Sequence, residues 1–168
     1  MADNDDVFPH AIDAADKYAP QIWAGQPEWQ ARIPYMPMLH EVLQPYIKSR
    51  AVFLCPSDSG TQVLDNSFPQ VLQSAPTLKA TYGSSYFFRT EIAFRYFSQT
   101  GFELPADVNV LMDGAGHWHG SESVLKPDDD FFTYARKVKG FRYNTLFGDM
   151  HAKSLTYDQL QNAWSTRL

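Results

Sequence analysis

A single cysteine, Cys55, stands in the 168 residues. No disulfide can therefore form within the chain, and no paired-cysteine zinc pattern is encoded. No window approaches the roughly 20 apolar residues that a membrane-spanning helix needs, and no secretory leader pattern opens the chain. The expectation is a soluble chain. Positive charge is sparse: 14 Lys and Arg face 19 Asp and Glu, for a net charge of −5. No run of Lys or Arg exceeds two residues. Nucleic-acid binding needs clustered positive charge, so nucleic acid is not an expected partner. No nucleotide cofactor is expected either.

What is abundant is aromatic. Phe, Tyr and Trp number 12, 9 and 4, and hydrophobic residues make up 44% of the chain. That composition argues for a packed globule rather than disorder. A chain of this length suits a single domain over residues 1–168. Within it, Pro9, Pro20, Pro27 and Pro34 are spaced too closely for a long helix, so 1–36 reads as an irregular segment pinned by Trp23 and Trp29. Residues 37–168 form the sheet-containing core.

A short helix is expected after Pro37, with Met38, Leu39, Val42 and Leu43 on one face. Ala51-Val52-Phe53-Leu54 reads as a strand stopped by Cys55-Pro56. A strand is favoured for Tyr82–Arg89, whereas Glu91–Phe97 fits helix or strand, and 61–80 carries no clear period. Val108–Met112 reads as a buried strand ending at Asp113-Gly114. A long loop from Ala115 to about Asp130 follows. Phe141–Phe147 and Met150–Leu155 then flank Gly148-Asp149, the pattern of a two-residue hairpin. Thr156 and Gln159 form a capping box for a last helix carrying Leu160, Ala163 and Trp164. The fold class is α+β, with short helices on a mainly antiparallel sheet.

Four segments in order resemble one family. They are Asp3-Asn4-Asp5-Asp6-Val7-Phe8-Pro9, Leu43-Gln44-Pro45-Tyr46-Ile47, Val52-Phe53-Leu54-Cys55-Pro56-Ser57-Asp58, and the run from Asn144 to Leu155. Together they are similar to segments of pseudopilin-like proteins related to the major pseudopilin of type II secretion. Met150 stands where that family has Gly after the hairpin Asp, and Tyr143 stands near the place of a family His. The resemblance implies a pilin-like fold and a structural role in a type II secretion or type IV pilus-like assembly. It implies partners that are other pilin-like subunits, joined through an apolar N-terminal helix that this sequence lacks. It also implies a place in the bacterial cell envelope, periplasmic or extracellular, with membrane contact only through that helix.

Two cation sites compete as expectations. Asp128, Asp129 and Asp130 offer hard oxygen ligands in a loop, and the resemblance suggests Ca2+ there, with Asp113 as a further ligand. Alternatively His117 and His119 flank one residue of an extended segment, which would set both imidazoles on one side. With Asp113, Asp149 and His151 they could hold Zn2+ or another transition metal and activate water, giving a lactone- or ester-cleaving hydrolase. A third reading uses the aromatic run Tyr86-Phe87-Phe88 with Phe94, Tyr96 and Phe97 to bind a ligand or partner. Ser57 lacks a nucleophile elbow, and Cys55 reads as a small buried hydrophobe. The balance leans away from an enzyme. Packed aromatics would cover the sheet face that a missing helix bares, leaving an exposed apolar patch.

Overall fold

The computed structural model describes residues 6–168, so Asp3, Asn4 and Asp5 of the acidic opening lie outside the described residues. The chain is α+β. Strands β3 (Tyr86–Phe88), β4 (Asn109–Asp113), β5 (Arg142–Phe147) and β6 (Ala152–Thr156) form an antiparallel sheet in that order. A separate antiparallel pair joins β1 (Thr61–Val63) to β2 (Val71–Ser74). The helices are short: α1 (Ala14–Tyr18), α2 (Pro27–Gln30), α3 (Leu39–Val42), α4 (Leu78–Tyr82), α5 (Thr90–Phe94), α6 (Phe131–Lys139) and α7 (Tyr157–Ser165). Among the described residues no helix is long and apolar enough to cross a membrane.

The period-two pattern decides the sheet's two faces. Phe87 pairs with Met112, and Met112 with Thr145. These residues, with Tyr143, Phe147 and Leu155, are buried, and α7 packs against β4 and β5. The opposite face carries another cross-strand row, Phe88–Leu111–Leu146–Ala152. There Phe88 is buried, Leu111 and Leu146 are half-buried, and Ala152 is exposed.

The capping box of α7 forms as expected, Thr156 accepting from Gln159 N and Gln159 returning the bond to Thr156 N. Leu160 and Ala163 face the core. The N-terminal segment is tied down by Trp23 and Trp29, which pack on each other and on Phe94. Lys17 Nζ reaches the carbonyls of Ile33, Pro34 and Met36 and stitches two of its turns together.

Three expectations are corrected. Ala51–Leu54 is no strand: Arg50–Phe53 is a 3-10 turn started by Ser49, with Val52 and Leu54 exposed and Phe53 buried. An apolar run becomes a strand only if a partner strand takes up its hydrogen bonds along its length, and here a single bond, Ser85 N to Phe53 O, does so. Phe131–Lys139, which carries no expected element between the loop and the last hairpin, is the helix α6. Asp130 caps it by accepting from Thr133 N at 2.7 Å, and Arg136, Lys137 and Lys139 populate its last turn. The hairpin loop is also wider than two residues. Leu146 pairs with Ala152, and the left-handed residue is Met150, φ 71°, rather than Gly148. Gly148 serves space instead, because a Cβ there would sit 2.7 Å from the Phe102 ring.

Met150 thus holds the left-handed conformation that glycine adopts without steric cost. Its side chain is 41% exposed, so little packing depends on it. Met150→Gly is expected to raise stability by about 1 kcal/mol, and Met150→Val to lower it by a similar amount. Urea melts of the three proteins check this.

Candidate metal centre

Three side chains from distant parts of the chain converge beside the C-terminal end of β4. Cys55 follows the 3-10 turn at Arg50–Phe53, Asp113 ends β4, and His119 follows a second 3-10 turn at Gly116–Trp118. His119 Nε2 lies 3.3 Å from Cys55 Sγ and 3.3 Å from Asp113 Oδ2. One ligand atom from each residue falls within 4.8 Å of the other two, so the cluster could hold a metal ion. Cys55 and Asp113 are buried, and the His119 side chain keeps 25% of its surface open to solvent.

Burial raises the pKa of the Cys55 thiol and of the Asp113 carboxyl; for Asp113 the amide of Asn144, 2.6 Å away, and His119 oppose that rise. Asp113 Oδ1 is buried and bonds nothing. Tyr86, the cross-strand partner of Asp113, borders the set, and its phenol is pushed upward first by burial and then by Cys55 and Asp113.

The expected histidine set does not assemble. Gly116–Trp118 is a 3-10 turn, not extended chain, so His117 and His119 point apart. His117 Nε2 instead meets Ser59 Oγ at 3.4 Å, and its Nδ1 is buried without a partner. Asp149 and His151 sit in the β5–β6 loop, which lies beyond Phe147, the partner of Asn109 at the far end of β4. Five residues of strand separate the two ends by roughly 13 Å. There His151 Nδ1 donates to Asp149 Oδ1 at 2.6 Å, which holds the Asp149 carboxyl below its usual range, while the imidazole stacks on Phe147.

The acidic loop has other work. Lys137 Nζ donates to Val124 O at 2.9 Å and to Asp129 Oδ2 at 2.7 Å, placing a positive charge inside the loop. Asp129 also accepts from Lys126 N, Asp130 caps α6, and Asp128 is exposed. Asp113 belongs to the other cluster. Among the described residues no metal-type grouping contains Asp128, Asp129 or Asp130.

Asp58 binds backbone amides, as its turn position suggested, but its reach is long. It accepts from Gly60 N, from Leu78 N and Lys79 N in the first turn of α4, and from Ser85 Oγ at 2.6 Å. The aromatic run is core rather than pocket: Phe87, Phe88 and Phe94 are buried, and Tyr96 alone of the run is largely exposed. Most of the exposed large apolar side chains lie elsewhere, among them Tyr35, Tyr46 and Phe131-Phe132.

Two buried groups titrate in opposite senses. Burial raises Asp65 from 3.8 to about 6 and lowers His117 from 6.5 to about 4. The Asp65 contribution to stability is present below pH 3.8 and is lost as pH rises through about 6. The His117 contribution is present above pH 6.5 and is lost as pH falls through about 4. Each is worth about 3 kcal/mol, so they offset between those limits. Asp65→Asn removes one side of the balance. Its stability relative to the parent should therefore rise by about 2 kcal/mol from pH 4 to pH 6.5, read from denaturant melts; parallel curves would contradict the assignment.

No family model matches the chain, and neither a curated protein nor a solved structure matches it.

Proposed function

We propose that this chain is the globular part of a structural, pilin-like subunit, working in the bacterial cell envelope as one element of a type II secretion or type IV pilus-like assembly. The observation that carries this reading is the row Phe88–Leu111–Leu146–Ala152, which crosses all four strands on the face that α7 does not fill. A half-open apolar row across an antiparallel sheet is a seat for an apolar helix, and burying it would stabilise such a contact at about 25 cal/mol per Å2. The family-like segments fit a framework role. Cys-Pro-Ser-Asp supplies the Asp58 clamp, and Asn144–Leu155 supplies the last hairpin. Partners are other subunits of the same type, met through a membrane-embedded first helix.

The test is Leu146→Glu in the complete natural gene product. Leu146 is half-buried, so the isolated domain keeps its fold, while co-assembly with other subunits and the stability of the full protein should fall sharply. Unchanged assembly with a correctly folded variant would overturn the reading.

A second reading, a metal-dependent hydrolase cleaving lactones or esters on the same scaffold, is favoured by the Cys55, Asp113 and His119 set and its partly open imidazole. Its metal is a transition ion rather than Ca2+, since a thiolate and an imidazole are poor calcium ligands. Hydrolysis of a chromogenic ester that is lost in His119→Ala supports it; the same rate in both proteins removes it.

A further inference from the structure

We infer that Cys55, Asp113 and His119 form a binding centre for a zinc-class transition-metal ion, with three protein ligands and a fourth position open to water. The geometry is that of a shared ion rather than a proton relay. In a thiol–imidazole–carboxylate relay the two imidazole nitrogens face different partners, one the nucleophile and the other the acid. Here a single atom, His119 Nε2, faces both Cys55 Sγ and Asp113 Oδ2. Three ligand atoms turned towards one another converge on the point where an ion would sit.

The separations agree. Zinc bonds of about 2.0–2.3 Å at tetrahedral angles place neighbouring ligand atoms roughly 3.3–3.7 Å apart. Both separations at His119 Nε2 are 3.3 Å, and all three atoms lie within 4.8 Å of one another. A second observation points the same way. Asp113 Oδ1 is buried and makes no hydrogen bond, a state that costs free energy unless a group from outside the chain satisfies it. An ion held by both oxygens of that carboxylate would do so.

The donor set selects the ion. A thiolate, an imidazole and one carboxylate suit Zn2+ or Co2+, whereas Mg2+ and Ca2+ require several oxygen ligands. Binding breaks the Cys55 S–H bond, forms a sulfur–metal bond and sends the proton to solvent. The partial exposure of His119 leaves the fourth corner to water. The ion would also tie together three segments, the loop after Phe53, the end of β4 and the turn at His119, adding to the bonds that already link them, such as Trp118 Nε1 to Gly60 O. The centre underlies the hydrolase reading above without depending on it, because binding without hydrolysis keeps the centre and removes that activity.

The experiment is a titration of chelator-treated full chain with Co2+ alone, followed by near-ultraviolet absorption, with Zn2+-dependent melting in parallel. The expected result is a thiolate-to-cobalt charge-transfer band that saturates at one ion per chain and is displaced by Zn2+. At a hundredfold excess over Kd, Zn2+ should raise the melting temperature by about 5–10 °C. Cys55→Ala should abolish the band. His119→Gln, at a partly exposed position that tolerates change, should weaken binding at least tenfold while its circular dichroism stays that of the parent. Absence of a band in the folded parent, or a band that survives in both variants, overturns the inference. So does equal stabilisation by Ca2+ and Zn2+.

Discussion

Asp58→Ala is expected to cost about 4 kcal/mol, enough to lower the melting temperature by roughly 10 °C in a domain of this length. The size follows from the number of groups it would strand. Asp58 is buried and takes two bonds on Oδ1, from Gly60 N and Leu78 N, and two on Oδ2, from Lys79 N and Ser85 Oγ. A charged acceptor contributes about 1.5–3 kcal/mol per bond, but these four share one carboxylate and do not add fully. Asp58→Asn keeps one acceptor oxygen and turns the other into a donor that faces donors. It should therefore lose about half as much. Denaturant melts of the two variants distinguish a clamp from a mere turn residue, since an isolated turn aspartate would cost less than 1 kcal/mol in either form.

The second large effect is at Arg89. Its guanidinium is buried and donates to the carbonyls of Ala163, Trp164 and Thr166 at the end of α7, to Asn109 Oδ1, and through Nε to Glu91 at 2.7 Å. Cationic donors at a helix C-terminus satisfy its last carbonyls and complement its dipole. Arg89→Ala is expected to cost about 3 kcal/mol by leaving those carbonyls and Glu91 unpaired. Arg89→Lys should recover less than half, because one ammonium cannot cover a fork that spans five acceptors. Amide exchange in α7 should accelerate in both. If exchange there is unchanged, Arg89 does not hold the helix end.

Sequence alone carried those parts of the fold whose causes are local. The capping box at Thr156 and Gln159 is four residues long, and β4 is marked by the apolar run Val110-Leu111-Met112. Helix α6 was signalled only by its ends, Asp130 before it and Gly140 after it. Phe131 and Phe132 point into solvent and blur the stripe that marks an amphipathic helix. The run 51–54 misled for the opposite reason, being apolar enough for a strand but meeting its neighbour through one backbone bond only, Ser85 N to Phe53 O.

The site was legible in two of its three members. Asp113 and His119 stand out by residue type. Cys55 lies 64 residues from the imidazole it meets, and no spacing rule connects them. In extended chain, where residues two apart share a side, His117 would be the natural partner of His119. A 3-10 turn, with three residues per turn, splays them. The acidic loop shows a further limit. Composition displays three aspartates, but only the packed structure shows that the Lys137 ammonium already lies among them.

The structural-subunit reading stands or falls on what precedes this domain in the working protein. The most direct measurement is mass-spectrometric mapping of the mature N-terminus of the natural gene product, recovered from membrane and soluble fractions of its source cell. The account predicts a membrane-fraction protein whose processed start opens an apolar helix of roughly 20 residues leading into this domain. A mature protein confined to the soluble fraction, with no such helix ahead of Phe8, would contradict it.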